Sequence, residues 1–140
     1  MKILICVDSG KAAEIVLKEA KKIVALFPDP EIHVFSVIDL SIILVAQGFD
    51  AYMVQKMEED VQKVKEKAIE ILGKNINFVS DTGYPEERIR EYCNTLQCGL
   101  LILGTHGRTG LEHALIGSVA ERVLRRITCN TLIIPVKSRM

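Results

Sequence analysis

The chain has 140 residues, 49% of them hydrophobic and 26% charged, with 18 basic side chains against 18 acidic ones. That length fits one domain able to bury a sizeable core without disulfides or a structural metal. High hydrophobicity at zero formal charge excludes a disordered polymer and leaves no global basic surface for gripping nucleic acid.

Residues 2–7 (KILICV) are almost wholly apolar and rich in Ile and Val, the pattern of a strand buried on both faces. Ser9 is placed to cap the helix that follows. There Ala12, Ala13, Ile15, Val16, Ala20, Ile23 and Val24 recur at helical spacing before Pro28 enforces a stop. Residues 32–37 (IHVFSV) form a second strand. A long polar helix from Tyr52 to Leu72 carries an inner stripe of Met53, Met57, Val61, Val64, Ala68 and Ile71, and Gly73 ends it. On its wet face Glu59 and Lys63 stand at i,i+4 pairing distance. Residues 75–80 (NINFVS) make a third strand, and Pro85, Glu86 and Glu87 open the next helix. Residues 100–103 (LLIL) are the fourth strand, 119–127 the last helix with Arg125 and Arg126 at its negative end, and 131–134 (TLII) the fifth strand. Strands alternating with helices imply one α/β domain over residues 1–140, an open parallel sheet with helices on both faces.

The run from Ile38 to Ala51 is too long for a tight connection and apolar at Ile42, Ile43, Leu44 and Val45. It reads either as a lid or contact surface after a strand's carboxyl end, or as an irregular loop or extra helical turn packed on its own domain. The apolar start ends at once at Asp8, and the later apolar run 37–46 is broken by Asp39. Neither reads as a signal peptide or a membrane span. Cys6, Cys93, Cys98 and Cys129 form no CxxC pair, so the expectation is small, reduced, partly buried side chains in a soluble cytoplasmic protein with no membrane contact. His33, His106 and His113 lack spaced partners, and no metal ligand set is expected.

The stretch 103–122 (LGTHGRTGLEHALIGSVAER) concentrates the chemistry. Gly104 and Gly107 let the backbone turn and approach a ligand closely. Gly117-Ser118 opens the last helix, Ser118 and Glu121 having capping-box spacing, and the unpaired amides of a helix N-terminus suit an anion. Neither the Walker pattern nor GxGxxG is present. On glycine spacing alone, a phosphate cradle and a loop needing positive φ beside a well-capped helix both remain open. Arg108 is able to pair with phosphate bidentately or to point into solvent. Asp8 reads as a ligand or as a cap for the first helix.

The pattern Gly104-x-x-Gly107-x9-Gly117-Ser118 is similar, residue for residue, to the ATP-binding signature of universal stress proteins. The resemblance extends through ILICVDSG, HVFSVID, VSDTGYPEERI and NTLIIPV, nearly the whole chain. It implies a Rossmann-like five-stranded sheet of order 3-2-1-4-5 and a homodimer paired through the last strand, Thr131 to Val136. Such a sheet binds ligands where strand order reverses, between strands one and four. The resemblance further implies Val7 and Asp8 along the adenosine, and Val37 and Leu103 as apolar sides of the adenine slot. Gly104, Gly107, Gly117 and Ser118 take ribose and phosphates, and Val119 adds a backbone N–H. The expected ligand is ATP, alone or with Mg or Mn. Phosphoryl transfer also needs an oriented nucleophile and a stabilising cation. The loop offers Arg108 but no evident base, so the expected function is a nucleotide-responsive regulator of the stress response, acting on an unknown protein partner, with hydrolysis absent or slow. The alternatives are a slow ATP hydrolase or adenylyl- or phosphoryl-transfer enzyme on the same fold, and a nucleotide-free dimerisation scaffold.

Overall fold

A computed structural model describes residues 1–45, 51–105 and 116–136. In chain order the elements are β1 (Lys2–Val7), α1 (Ala12–Val24), β2 (Glu31–Asp39), α2 (Leu40–Val45) and α3 (Ala51–Leu72). They continue with β3 (Ile76–Gly83), α4 (Pro85–Leu96), β4 (Leu100–Gly104), α5 (Ser118–Arg126) and β5 (Thr131–Ile134). The strands form one parallel sheet of order β3-β2-β1-β4-β5. The expected architecture and strand order hold.

Side chains alternate across a strand, so β1 feeds both faces of the sheet. Ile3 and Ile5 join Val16, Leu17, Val34 and Val64 in a core beneath α1 and α3. Leu4 and Cys6 join Phe35, Ile89, Leu101 and Val123 beneath α4 and α5. Each large aliphatic side chain so buried contributes about 1.5–3 kcal/mol. This is why the central strand tolerates almost no polar residue. Among the described residues no helix is long and apolar enough to cross a membrane.

Several local expectations need correction. Ser9 is not the N-cap residue of α1: the helix starts at Ala12, Lys11 is its N-cap without a side-chain bond, and the Ala13 amide donates to Gly10 O at 3.1 Å. The Ser118–Glu121 capping box does not form either. Gly117 is the N-cap, Ser118 is already helical, and Glu121 accepts from Arg125 at 2.7 Å instead. In α3, Glu59 accepts from Gln55 at 3.1 Å rather than pairing with Lys63. β2 runs on to Asp39, because Val37, Ile38 and Asp39 pair with Asp81, Thr82 and Gly83 of β3. Asp39 Oδ1 then accepts from the Ser41 amide and hydroxyl, 2.9 and 2.6 Å, and α2 follows. The segment from Ile38 thus starts as strand and continues in the extra helical turns of α2, one of the forms expected for it, and residues 46–50 lie outside the described ones.

Val136 is not an exposed edge residue. It is fully buried beside Ile5, Ile102 and Ile134, and its amide donates to Thr105 Oγ1 at 3.1 Å. The edge strand proper is Thr131–Ile134, which follows β4 and ends the sheet. The cysteines also depart from expectation. Cys6 is a buried free thiol as foreseen, but Cys93 and Cys98 form a disulfide.

Candidate functional site

The order reversal puts the carboxyl ends of β1 and β4 side by side, with Ile5 opposite Ile102. Beyond that pair the β1–β4 pairing ends, and a cleft opens there. At the end of β1, Asp8 Oδ1 accepts from the Gly10 amide at 2.9 Å, an Asx-type turn that sets the direction of the loop into α1. At the end of β4, Gly104 is still paired with Ile134 of β5, so Gly104 itself continues the strand.

Thr105 is the joint of the site. Its amide donates to Ile134 O at 2.8 Å, its hydroxyl accepts from Val136, and its carbonyl accepts from the Gly117 amide at 2.5 Å. These bonds hold the start of α5 against the end of β4. Gly117 has φ −68 and ψ 163, an ordinary extended conformation, and it is buried, so a small residue serves close approach there rather than backbone strain. The Glu121 amide donates back to Gly117 O at 3.0 Å. The amides of Ser118, Val119 and Ala120 therefore precede that first intrahelical bond, at the positive end of the helix dipole.

The cleft is open at its mouth and encloses a cavity of about 150 Å³. Eight of the residues singled out from sequence line it together: Val7, Asp8, Val37, Leu103, Gly104, Gly117, Ser118 and Val119. Gly107 and Arg108 lie outside the described residues. Sequence reasoning missed the α3 wall, where Met57, Asp60 and Val61 face the cleft, and also Asp39, Pro85 and Ile89. Met57 and Val61 did stand in the recognised inner stripe of that helix. Nothing local showed that this part of the stripe lies at the strand ends rather than in the core.

The walls are apolar, from Val7, Phe35, Val37, Met57, Val61 and Leu103, and three acidic residues also line it: Asp8 just after β1, Asp39 at the end of β2 and Asp60 in α3. Asp60 is paired with Lys56 at 3.0 Å. Burial pushes the Cys6 thiol far up from its ordinary value, which keeps this lining residue neutral. Such a cleft can enclose a flat apolar ring, accept hydrogen bonds from hydroxyl or amino groups on its carboxylates, and direct a negative group toward the start of α5.

The profile described as "Universal stress protein family" matches residues 1–135. The chain is 33% identical over 139 residues to universal stress protein MJ0531 of Methanocaldococcus jannaschii, covering 95% of this chain and 81% of the relative. Among solved structures, MJ0577 of the same organism superposes with a TM-score of 0.81 at 29% identity, over 97% of this chain and 96% of that one. A universal stress protein solved in complex with cAMP shares the fold at 16% identity and a TM-score of 0.71, covering 98% of each chain.

Proposed function

The chain belongs to the universal stress protein family, and on that premise we propose that it binds ATP in the cleft between β1 and β4 and acts as a nucleotide-responsive regulator. The observation that carries this reading is the meeting of one apolar slot with the amide-rich start of α5 at the reversal of strand order. The adenine lies between Val37 and Leu103, Asp8 takes ribose hydroxyls, and the phosphates run past Gly104 and Gly107 to Gly117, Ser118 and the Val119 amide, with Arg108 pairing to the tail. A family relative crystallised with cAMP supports an adenine nucleotide as the ligand class. Mg or Mn suits the carboxylate chemistry of Asp8, which would hold such an ion against the phosphates.

Hydrogen bonds to charged phosphate contribute about 1.5–3 kcal/mol each. Three or four, with burial of the base, outweigh the cost of association and give micromolar affinity, about −8 kcal/mol. Binding rather than turnover is the reading, with hydrolysis below about one per second, the low end of ordinary enzymes. The protein acts as a cytoplasmic homodimer joined through the edge strand β5, and signals to a protein partner.

Isothermal titration with ATP, ADP and AMP, with and without Mg²⁺, tests the reading. Saturable micromolar binding is expected, lost in Gly117→Val, whose added methyls enter the buried approach between Thr105 and α5. A flat titration of the parent protein rejects it, and sedimentation of the same samples reports the dimer.

A further inference from the structure

At the other end of the sheet, ahead of β4 and β5, three cysteines converge. Their sulfurs all lie within 4.8 Å of one another. Cys93 and Cys98 are joined, and Cys129 Sγ lies 3.2 Å from Cys93 Sγ and 3.6 Å from Cys98 Sγ. Backbone bonds produce this meeting. α4 ends at Gln97, which takes the left-handed conformation with φ 53, and the chain turns back so that the Cys98 amide donates to Cys93 O at 3.1 Å. Cys98 and Cys129 each stand two residues ahead of a strand, and β4 pairs in parallel with β5, so their turns are neighbours. The second turn is fixed by the Leu101 amide donating to Asn130 O at 2.9 Å and the Thr131 hydroxyl donating to Cys129 O at 3.2 Å. Cys93 and Cys98 are buried and Cys129 is half-buried.

Two chemistries use three sulfurs so placed. Thiol–disulfide exchange needs the attacking sulfur on the extension of the S–S axis, which would set its two distances apart by about one bond length, 2 Å. Here they differ by only a few tenths of an ångström, so Cys129 lies beside the bond and not in line with it. A triangle of sulfurs is instead what one ion requires. Thiolate–metal bonds of about 2.3 Å in tetrahedral geometry put the sulfurs about 3.8 Å apart, close to the Cys129 distances.

We propose that, in the dithiol form, Cys93, Cys98 and Cys129 bind one thiophilic d¹⁰ cation, Zn²⁺ or Cu⁺, as three thiolates. Soft thiolate sets select these ions. A fourth position opens onto the shallow pocket lined by Asn94, Gln97 and Thr128. The disulfide is the metal-free alternative. A dithiol reductant supplies two electrons and two protons to Cys93 and Cys98 and leaves as its own disulfide, and the entering ion displaces three thiol protons to solvent. The bound ion ties the end of α4 to the start of β5 without touching the nucleotide cleft, so the proposal stands or falls apart from the ATP reading.

The test is a metal titration of the full chain, reduced with a phosphine that is then removed under anaerobic conditions. Zn²⁺ is titrated against a chromophoric chelator, Cu⁺ against a Cu⁺-selective chelator, and Co²⁺ serves as the visible reporter of thiolate ligation. The expected result is one ion per chain with sulfur-to-cobalt charge-transfer bands. Affinity should fall at least about a hundredfold in Cys129→Ser, which retains the Cys93–Cys98 pair and its fold, and vanish in the oxidised protein. The two ion arms decide between Zn²⁺ and Cu⁺. Equal affinity in Cys129→Ser, or a reduced and folded parent chain that retains neither ion, overturns the proposal. Loss of circular dichroism on reduction also overturns it, because the pair would then be a structural staple.

Discussion

The two ends of the sheet are built in opposite ways. At the carboxyl end a broad cleft draws on β1, β2, β4 and the helices α1, α3, α4 and α5, and its anion-directed groups are backbone amides at the start of α5. At the amino end two tight turns bring three side-chain sulfurs together. A site made of backbone depends on topology and on small residues, and survives changes in most of its neighbours. A site made of side chains depends on three particular residues, and one substitution removes it.

The largest effect tests whether the two ends share one stability. Ile102 is fully buried in the central pair of strands between them, and Ile102→Ala should cost about 3 kcal/mol, read as a lower urea midpoint. Both sites should weaken only by the unfolded fraction; selective loss at one end would show that they are not one cooperative unit. Next in size is the crossed comparison of Gly117→Val and Cys129→Ser. Each should abolish its own binding and leave the other titration unchanged, and loss of both in either variant would break the separation. Asp8→Asn is smaller. The Asn oxygen still accepts the Gly10 amide, so the turn stays while the charge goes, and ATP affinity should fall about tenfold, roughly 1.4 kcal/mol. Unchanged affinity would remove Asp8 from the site.

The smallest effect concerns pH at the amino end. The hydrogen bond from His33, with lesser help from Lys2, holds the Glu31 carboxyl below its ordinary value of 4.5. A carboxyl lowered by folding stabilises above its unfolded value, and that stabilisation is lost as pH falls through the folded one. The urea midpoint should therefore decline as pH drops below 4.5, and the decline should be shallower in Glu31→Gln. Because Glu31 is exposed, added salt should blunt the difference. Identical pH profiles for both proteins would deny the pair any part in acid sensitivity.

The fold was legible because apolar runs such as 2–7 and 100–103 are buried on both faces and separated by helix-period segments, a pattern that admits few architectures. Most of the cleft was legible for the same reason: strand order fixes where its residues meet, and Asp8, Gly104 and Gly117 sit directly at element ends. The caps were misread at Ser9 and Ser118. A hydroxyl in the right place shows that a bond is possible, but the N-cap positions fell to Lys11 and to Gly117, the latter held by its bond to Thr105. The sulfur cluster could not be read at all. Its members are five and 31 positions apart, and the turn that joins the first two relies on Gln97 in a conformation usually signalled by glycine.

The hydrogen bond from Gly117 to Thr105 has one further consequence. It fastens the first residue before α5 straight to the residue after β4, so the helix start and the strand end hold one another in place. Breaking that tie would release the start of α5 from the end of β4, and its leading amides would lose their fixed aim into the cleft.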